Sequence, residues 1–329
     1  MSRLIIELRD IMHSTSTSAV AARRPSFTWG GMGIALLAHT GWGAYPVLAR
    51  YLQTVSDLPS MALLGVGNLI ALAIYLPFVW RRVDQRFLRS WVIWAFALIV
   101  VLRATTNLLA ARFTLAIYIQ PITLMTPLLV ALLSAGLFRE QLPPLTWPAI
   151  ALSLLGSLLM MSGEIGAAGV RLNLGPSDWI GIVLALTSAF CLAAYMILVP
   201  RTVKHALPGE AILLMQLLTL SVTSTAISLV IGEEWERFAA IGPVDWAVFF
   251  AFVAGVLLGA NLGQIVSLRR LGAPLVSSVM AWRLVATLAM AAWLLGEWLA
   301  SYWQVLGALL VLATISGYLW RQSRMGVRG

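Results

Sequence analysis

Apolar residues in this 329-residue chain come in long uninterrupted runs rather than in the short periods of a water-soluble core. The runs fall at about 29–52, 59–80, 90–111, 114–138, 144–162, 178–200, 208–231, 245–268, 273–296 and 301–320. Each is close to the ~20 residues an α-helix needs to cross ~30 Å of hydrocarbon. The pattern predicts an all-α membrane protein of ten transmembrane helices joined by short polar corners. Within it, Phe113 to Met161 holds two runs meeting at the charged corner Arg139-Glu140. Shifted by 157 positions, this stretch lies without a gap over Arg270 to Tyr318, with Glu140 on Glu297, Leu142 on Leu299 and Arg112 on Arg269. One five-helix unit written twice is the expectation, at 29–163 and 178–320. Because five is odd, the two copies enter the membrane from opposite sides as an inverted repeat. A polar tail, 1–28, and a basic tail, 321–329, flank them.

Composition agrees with the pattern and charge adds an orientation. With 60% hydrophobic and 11% charged residues, the chain is outside the range of water-soluble domains. The formal net charge of +9 is carried almost wholly by arginine, Lys204 being the one lysine, and most of these residues lie in short gaps between runs. That distribution reads as topology and not as a nucleic-acid surface. One side takes Arg3, Arg9, Arg23, Arg24, Arg81, Arg82, Arg86, Arg89, Arg139, Arg201, Lys204, Arg269, Arg270, Arg321, Arg324 and Arg328; the other takes only Arg50, Arg112, Arg171 and Arg237. The asymmetry predicts a multi-pass protein of the cell inner membrane with both termini cytoplasmic. The N-terminal tail has no uninterrupted apolar core of the kind a cleaved signal carries.

Catalytic and metal chemistry find little to work with. Cys191 is alone, the histidines His13, His39 and His205 are scattered, and no acid falls at mid-depth in a run. This argues against a membrane-embedded enzyme, a metal site or a bound cofactor. A scaffold or receptor would more naturally carry an extramembrane domain. No connecting loop here exceeds about 15 residues.

Two arginines stand out instead, Arg103 in the third run and Arg283 in the ninth, each about halfway along its span. A cation there costs roughly 2.5–3.5 kcal/mol or more. Either both face a cavity and pair with a carboxylate or phosphate of a bound solute, or carbonyls, waters and the amides of Asn107, Asn261 or Gln264 satisfy them. Trp42, Tyr45, Tyr118, Gln120 and Tyr195 present polar tips on aromatic or amide bodies, suited to an amphipathic solute. Pro46, Pro121 and Pro127 break helical hydrogen bonding and are candidate hinges. His39 is the one histidine within a run and the candidate proton site, packed and neutral in the plainer reading. Arg50, near a run end, is expected to reach to the interface. Gly255, Gly259 and Gly263 are spaced for close helix packing, and Glu140 and Glu297 for capping the helices they begin.

The segments GWGAYPVLARYLQ, PLLVALLSAGLFREQLPPLTWPAIALSLLGSLLMM and LAMAAWLLGEWLASYWQVLGALLVLATISG, with the ten-run layout, resemble the EamA branch of the drug/metabolite transporter superfamily. The likeness covers about residues 29–320; the first corner has Arg139 before its glutamate where members often have glycine, as Gly296 does at the second. The resemblance implies a cavity near the bilayer midplane, lined mainly by the first, third, fourth, sixth, eighth and ninth runs. It also implies alternating-access export of a small metabolite such as an amino acid or related carboxylate, as a monomer or homodimer in the lipid bilayer. Phosphate-bearing metabolites or nucleotide derivatives are the alternative cargo, and a non-transporting scaffold or receptor the alternative class.

Overall fold

The computed structural model describes residues 29–79, 91–138, 141–143, 145–166, 169–172, 174–202, 209–271 and 273–326. The tail 1–28, the arginine-rich segment 81–89, the corner Arg139-Glu140 and Lys204 lie outside these residues. The chain runs through α1 (Trp29–Thr54), α2 (Ser60–Val79), α3 (Trp91–Phe113), α4 (Ala116–Leu124), α5 (Thr126–Phe138) and α6 (Thr146–Met161). A short antiparallel hairpin follows, β1 (Ser162–Gly166) with β2 (Gly169–Leu172), pairing Ile165 with Val170. Then come α7 (Asp178–Thr202), α8 (Gly209–Ile231), the single turn α9 (Arg237–Ala240) and α10 (Pro243–Phe250). A π-helical stretch, Ala251–Ala260, joins α10 to α11 (Asn261–Leu271), and α12 (Ala273–Ser278), α13 (Trp282–Leu295) and α14 (Tyr302–Gly326) complete the fold.

The protein is a multi-pass helical membrane protein. Seven helical segments among the described residues are long and apolar enough to cross a bilayer, and Thr146–Met161 and Trp282–Leu295 are shorter apolar helices. Burial is distributed as lipid requires. Leu37, Phe78, Leu98, Val222 and Val230 face outward, while His39, Gln53, Asn68, Gln120, Arg283 and Gln304 are buried. Helix α1 has the length to cross but carries His39, Thr40, Trp42, Arg50 and Gln53, because it packs inside the bundle against α13, α11 and the π stretch.

Three runs that read as continuous helices are interrupted. The fourth breaks at Met125, between Pro121 inside α4 and Pro127 in the first turn of α5; Pro121 has no amide to donate, and the Thr126 hydroxyl takes up the Thr123 carbonyl at 2.6 Å. The ninth breaks between Ser278 and Trp282, where Met280, Trp282 and Arg283 donate to carbonyls three residues back. No proline marks this break. In the eighth, the wider π turn overrides the expected glycine face. A Cβ on Gly259 would meet its own helix at the Ala254 carbonyl, 2.9 Å away, while α1 is approached by Gly263, whose Cβ position is 3.1 Å from Ala38, and by the Gly255 carbonyl, 2.9 Å from the Cβ position of Gly41. At the chain end α14 runs on to Gly326, into the segment read as a tail.

Close backbone approach sets the packing. Gly156 and Gly307 let α6 and α14 touch, a Cβ on Gly307 meeting the Gly156 carbonyl at 2.5 Å, and Gly65 brings α2 onto Thr225 of α8. Gly41 and Gly43 do the same for α1. A Cβ on Gly41 would sit 2.9 Å from Ala260, and one on Gly43 2.5 Å from the Arg283 carbonyl. The residue between these two glycines is Trp42.

Candidate ligand-binding site

Pressed between α13 and the π stretch by its flanking glycines, α1 delivers Trp42 to the place where α3 and α13 carry their arginines. The guanidinium carbon of Arg103 lies 5.5 Å from the Trp42 ring centroid and that of Arg283 lies 5.6 Å from it. The two charges are therefore no further apart than the sum of those distances. At an effective dielectric near 20 their repulsion is at least about 1.5 kcal/mol. A desolvated cation–π contact returns about 2 kcal/mol, less than a mid-membrane arginine costs. No carboxylate pairs with either arginine among the described residues.

The two cations are held differently. Arg283, second residue of α13 and buried, donates from Nε to His39 Nδ1 at 2.9 Å, and its Nη2 reaches Gln264 Oε1 at 3.5 Å. His39 Nε2 lies 2.9 Å from the Val276 carbonyl. With Nδ1 accepting, Nε2 must be the protonated nitrogen, so the imidazole is neutral and both its nitrogens are engaged. A further contact fixes the α1–α13 register, the Thr287 hydroxyl donating to the Gly43 carbonyl at 2.6 Å. Arg103 is half-buried and its guanidinium has no hydrogen bond or ion pair among the described residues; Tyr45, Tyr195 and Cys191 are its ionisable neighbours. Its backbone carbonyl accepts from Ser188 of α7 at 3.1 Å. The Trp42 indole N–H and the Tyr45 hydroxyl are both buried without a partner among the described residues. The arrangement is a set of unspent donors around two positive charges, built from α1, α3, α7 and α13.

The other sequence-singled residues sit around or apart from this cluster. The Tyr45 ring lies 5.5 Å from that of Phe252 of the π stretch, tilted by 50°, and Tyr195 meets Phe96 edge-on. Asn261 bonds its own helix at the Leu257 carbonyl, and Asn107 lies half-buried on α3, one turn beyond Arg103. Gln120 is buried with its Nε2 unpartnered among the described residues. Tyr118 is elsewhere, its charged neighbours being Asp178 and Glu297. Pro46 follows Trp42 by one turn and leaves that residue's carbonyl without an amide donor.

Away from the cluster, one end of the bundle is tied shut by polar contacts. Arg50 does not reach to the lipid interface. Its Nε lies 2.7 Å from Glu297 Oε1, and its Nη1 donates to the Thr114 carbonyl at 2.7 Å. Nor does Glu297 cap α14, whose first turn is closed by Gln304 accepting from Ala300; its other oxygen takes the Ile117 amide at the start of α4. Beside this pair, Thr114 donates to Asp178, Ser56 to Asp245, and the Met61 and Ala62 amides to Glu233. A cavity of about 400 Å³ opens here, lined by Asp57, Arg112, Glu233, Glu234 and Arg237 among others. Arg237 is spent on Asp57 and Glu234 and Arg112 donates to Ser60, so this vestibule, lined by both signs of charge, differs from the Trp42 cluster, where no carboxylate stands among the described residues. The Arg50–Glu297 pair escapes sequence reading because its partners are 247 positions apart; the one available signal is that the expected topology puts both charges on the same side.

Residues 29–162 match the model of the EamA-like transporter family. The uncharacterized transporter PA0485 of Pseudomonas aeruginosa is 26% identical over 232 residues, 67% of each chain. A solved crystal structure described only as that of a protein superposes with a TM-score of 0.61 at 16% identity, over 89% of this chain and 98% of that one; this is a likeness of fold.

Proposed function

We propose that the chain is an EamA-type transporter that moves a small anionic metabolite, such as a carboxylate, across the cell inner membrane by alternating access, in the outward direction. The observation that carries this reading is the pair Arg103 and Arg283, one from each half of the chain, on a single indole with no carboxylate between them. A buried site with two positive charges, unpartnered donors and no carboxylate among the described residues lacks one component, an anion.

Alternation needs two halves that can rock around a shared site. We read the ten helices as two inverted five-helix repeats, exchanging α1 with α7, α2 with α8, α3 with the α10–α11 segment, α4–α5 with α12–α13, and α6 with α14. The packing supports it. Contacts of α2 with α8 and of α6 with α14 map onto themselves under the exchange, α3 on α7 maps onto the π stretch on α1, and α1 on α13 maps onto α7 on α5. The broken fourth and ninth runs are exchanged as well, and discontinuous helices at equivalent places in two halves are a transporter device. With both termini cytoplasmic, as the arginine asymmetry favours, the Arg50–Glu297 end faces outward and is closed.

Reconstituted protein should exchange a labelled carboxylate across liposome membranes, and Arg283→Ala should lower that flux at least tenfold while leaving insertion and monodispersity unchanged. Wild-type flux in a well-folded Arg283→Ala protein would remove the site; vesicles inert to every anion tested would remove the function.

A further inference from the structure

If the Trp42 cluster is the cargo site, as the proposed function holds, its inventory of charge and donors also sets the charge of the cargo. We infer that the transported solute carries two negative charges and no ammonium group, each anionic group being taken by one guanidinium. Arg103 offers its whole N–H fork, Arg283 offers what His39 and Gln264 leave, and the Trp42 N–H and Tyr45 O–H are free to donate. Acceptors are few: His39 Nδ1 and Gln264 Oε1 are already taken by Arg283, which leaves the Trp42 carbonyl freed by Pro46 and the tyrosine hydroxyl oxygens, none of them charged. A monoanion would leave one positive charge uncompensated. A zwitterion would add a third cation beside the two and would find no carboxylate for it. Among the described acids, Glu297 is occupied by Arg50, Asp178 by Thr114 and Glu210 by Arg269, and none pairs with Arg103 or Arg283. The rule therefore points away from ordinary amino acids and toward dicarboxylates or phosphate monoesters, which share the doubly anionic, donor-seeking chemistry.

The test holds shape fixed and varies charge. Succinate, monomethyl succinate and aspartate differ by one charge or by one added ammonium, and methyl phosphate and dimethyl phosphate form the phosphate arm. Competition against a labelled dianion in proteoliposomes of the full chain should place succinate, methyl phosphate or both at least tenfold ahead of the singly charged analogues and of aspartate. Which arm leads separates the carboxylate from the phosphate source. In Arg103→Gln and Arg283→Gln the dianion should lose at least tenfold while the monoanion changes less than about threefold, closing the gap between them. If monomethyl succinate or aspartate competes as well as succinate, the charge rule is wrong and the anion site stands. If every probe is inert with folded wild-type protein, the site reading itself fails. The wild-type panel decides even where a variant does not fold.

Discussion

Replacing Glu297 by Gln tests whether the Arg50–Glu297 pair latches one end of the transporter. Arg50 belongs to the first half and Glu297 to the second, and the carboxylate is almost completely buried at 7% side-chain exposure. The substitution keeps the shape but removes a charge 2.7 Å from a guanidinium, leaving Arg50 with the Thr114 and Ala111 carbonyls. Losing a hydrogen bond to a charged partner costs about 1.5–3 kcal/mol. If that contact exists only in the closed form, the population open at this end should rise by about ten- to a hundredfold. Cys191, the chain's single cysteine, supplies the reporter, since it lies half-buried on α7 beside Arg103. A membrane-impermeant maleimide added on the Glu297 side should label Cys191 faster in Glu297→Gln by a factor in that range. The Arg50→Gln, Glu297→Gln double variant should add little beyond the single change, because one partner's loss already breaks the pair. Labelling within about twofold of wild type, in protein with an unchanged unfolding midpoint, would refute the latch.

Two glycine substitutions separate the site from the scaffold. In Gly43→Val the new side chain starts 2.5 Å from the Arg283 carbonyl, forcing α1 from α13 and Trp42 from its arginines. Flux should fall at least tenfold with a stability loss of about 1–3 kcal/mol, and scintillation uptake together with a thermal melt would register both. Gly307→Leu meets the Gly156 carbonyl at the same distance but on the α6–α14 contact. It should lower the melting midpoint by several degrees while the rank order of competing anions stays as in wild type.

Much of the architecture was written in the chain. Uninterrupted apolar runs of bilayer length admit only helices, since a backbone in lipid must satisfy its own hydrogen bonds, and a corner does separate α3 from α4, at Thr114-Leu115, just beyond the expected Arg112-Phe113. Arg103 and Arg283 were legible because a mid-span guanidinium needs a compensating partner, and nothing in the surrounding run supplies one. Their meeting on Trp42 was not, because it depends on Gly41 and Gly43 drawing α1 against two helices more than 200 positions later in sequence. The break before Arg283, the π turns after Phe250 and the pairing of Arg50 with Glu297 were equally hidden. Hydropathy reports the average solvent of a segment, lipid or water. Where a helix breaks and which charges meet is fixed by contacts between segments distant in sequence, and those exist only once the helices have packed.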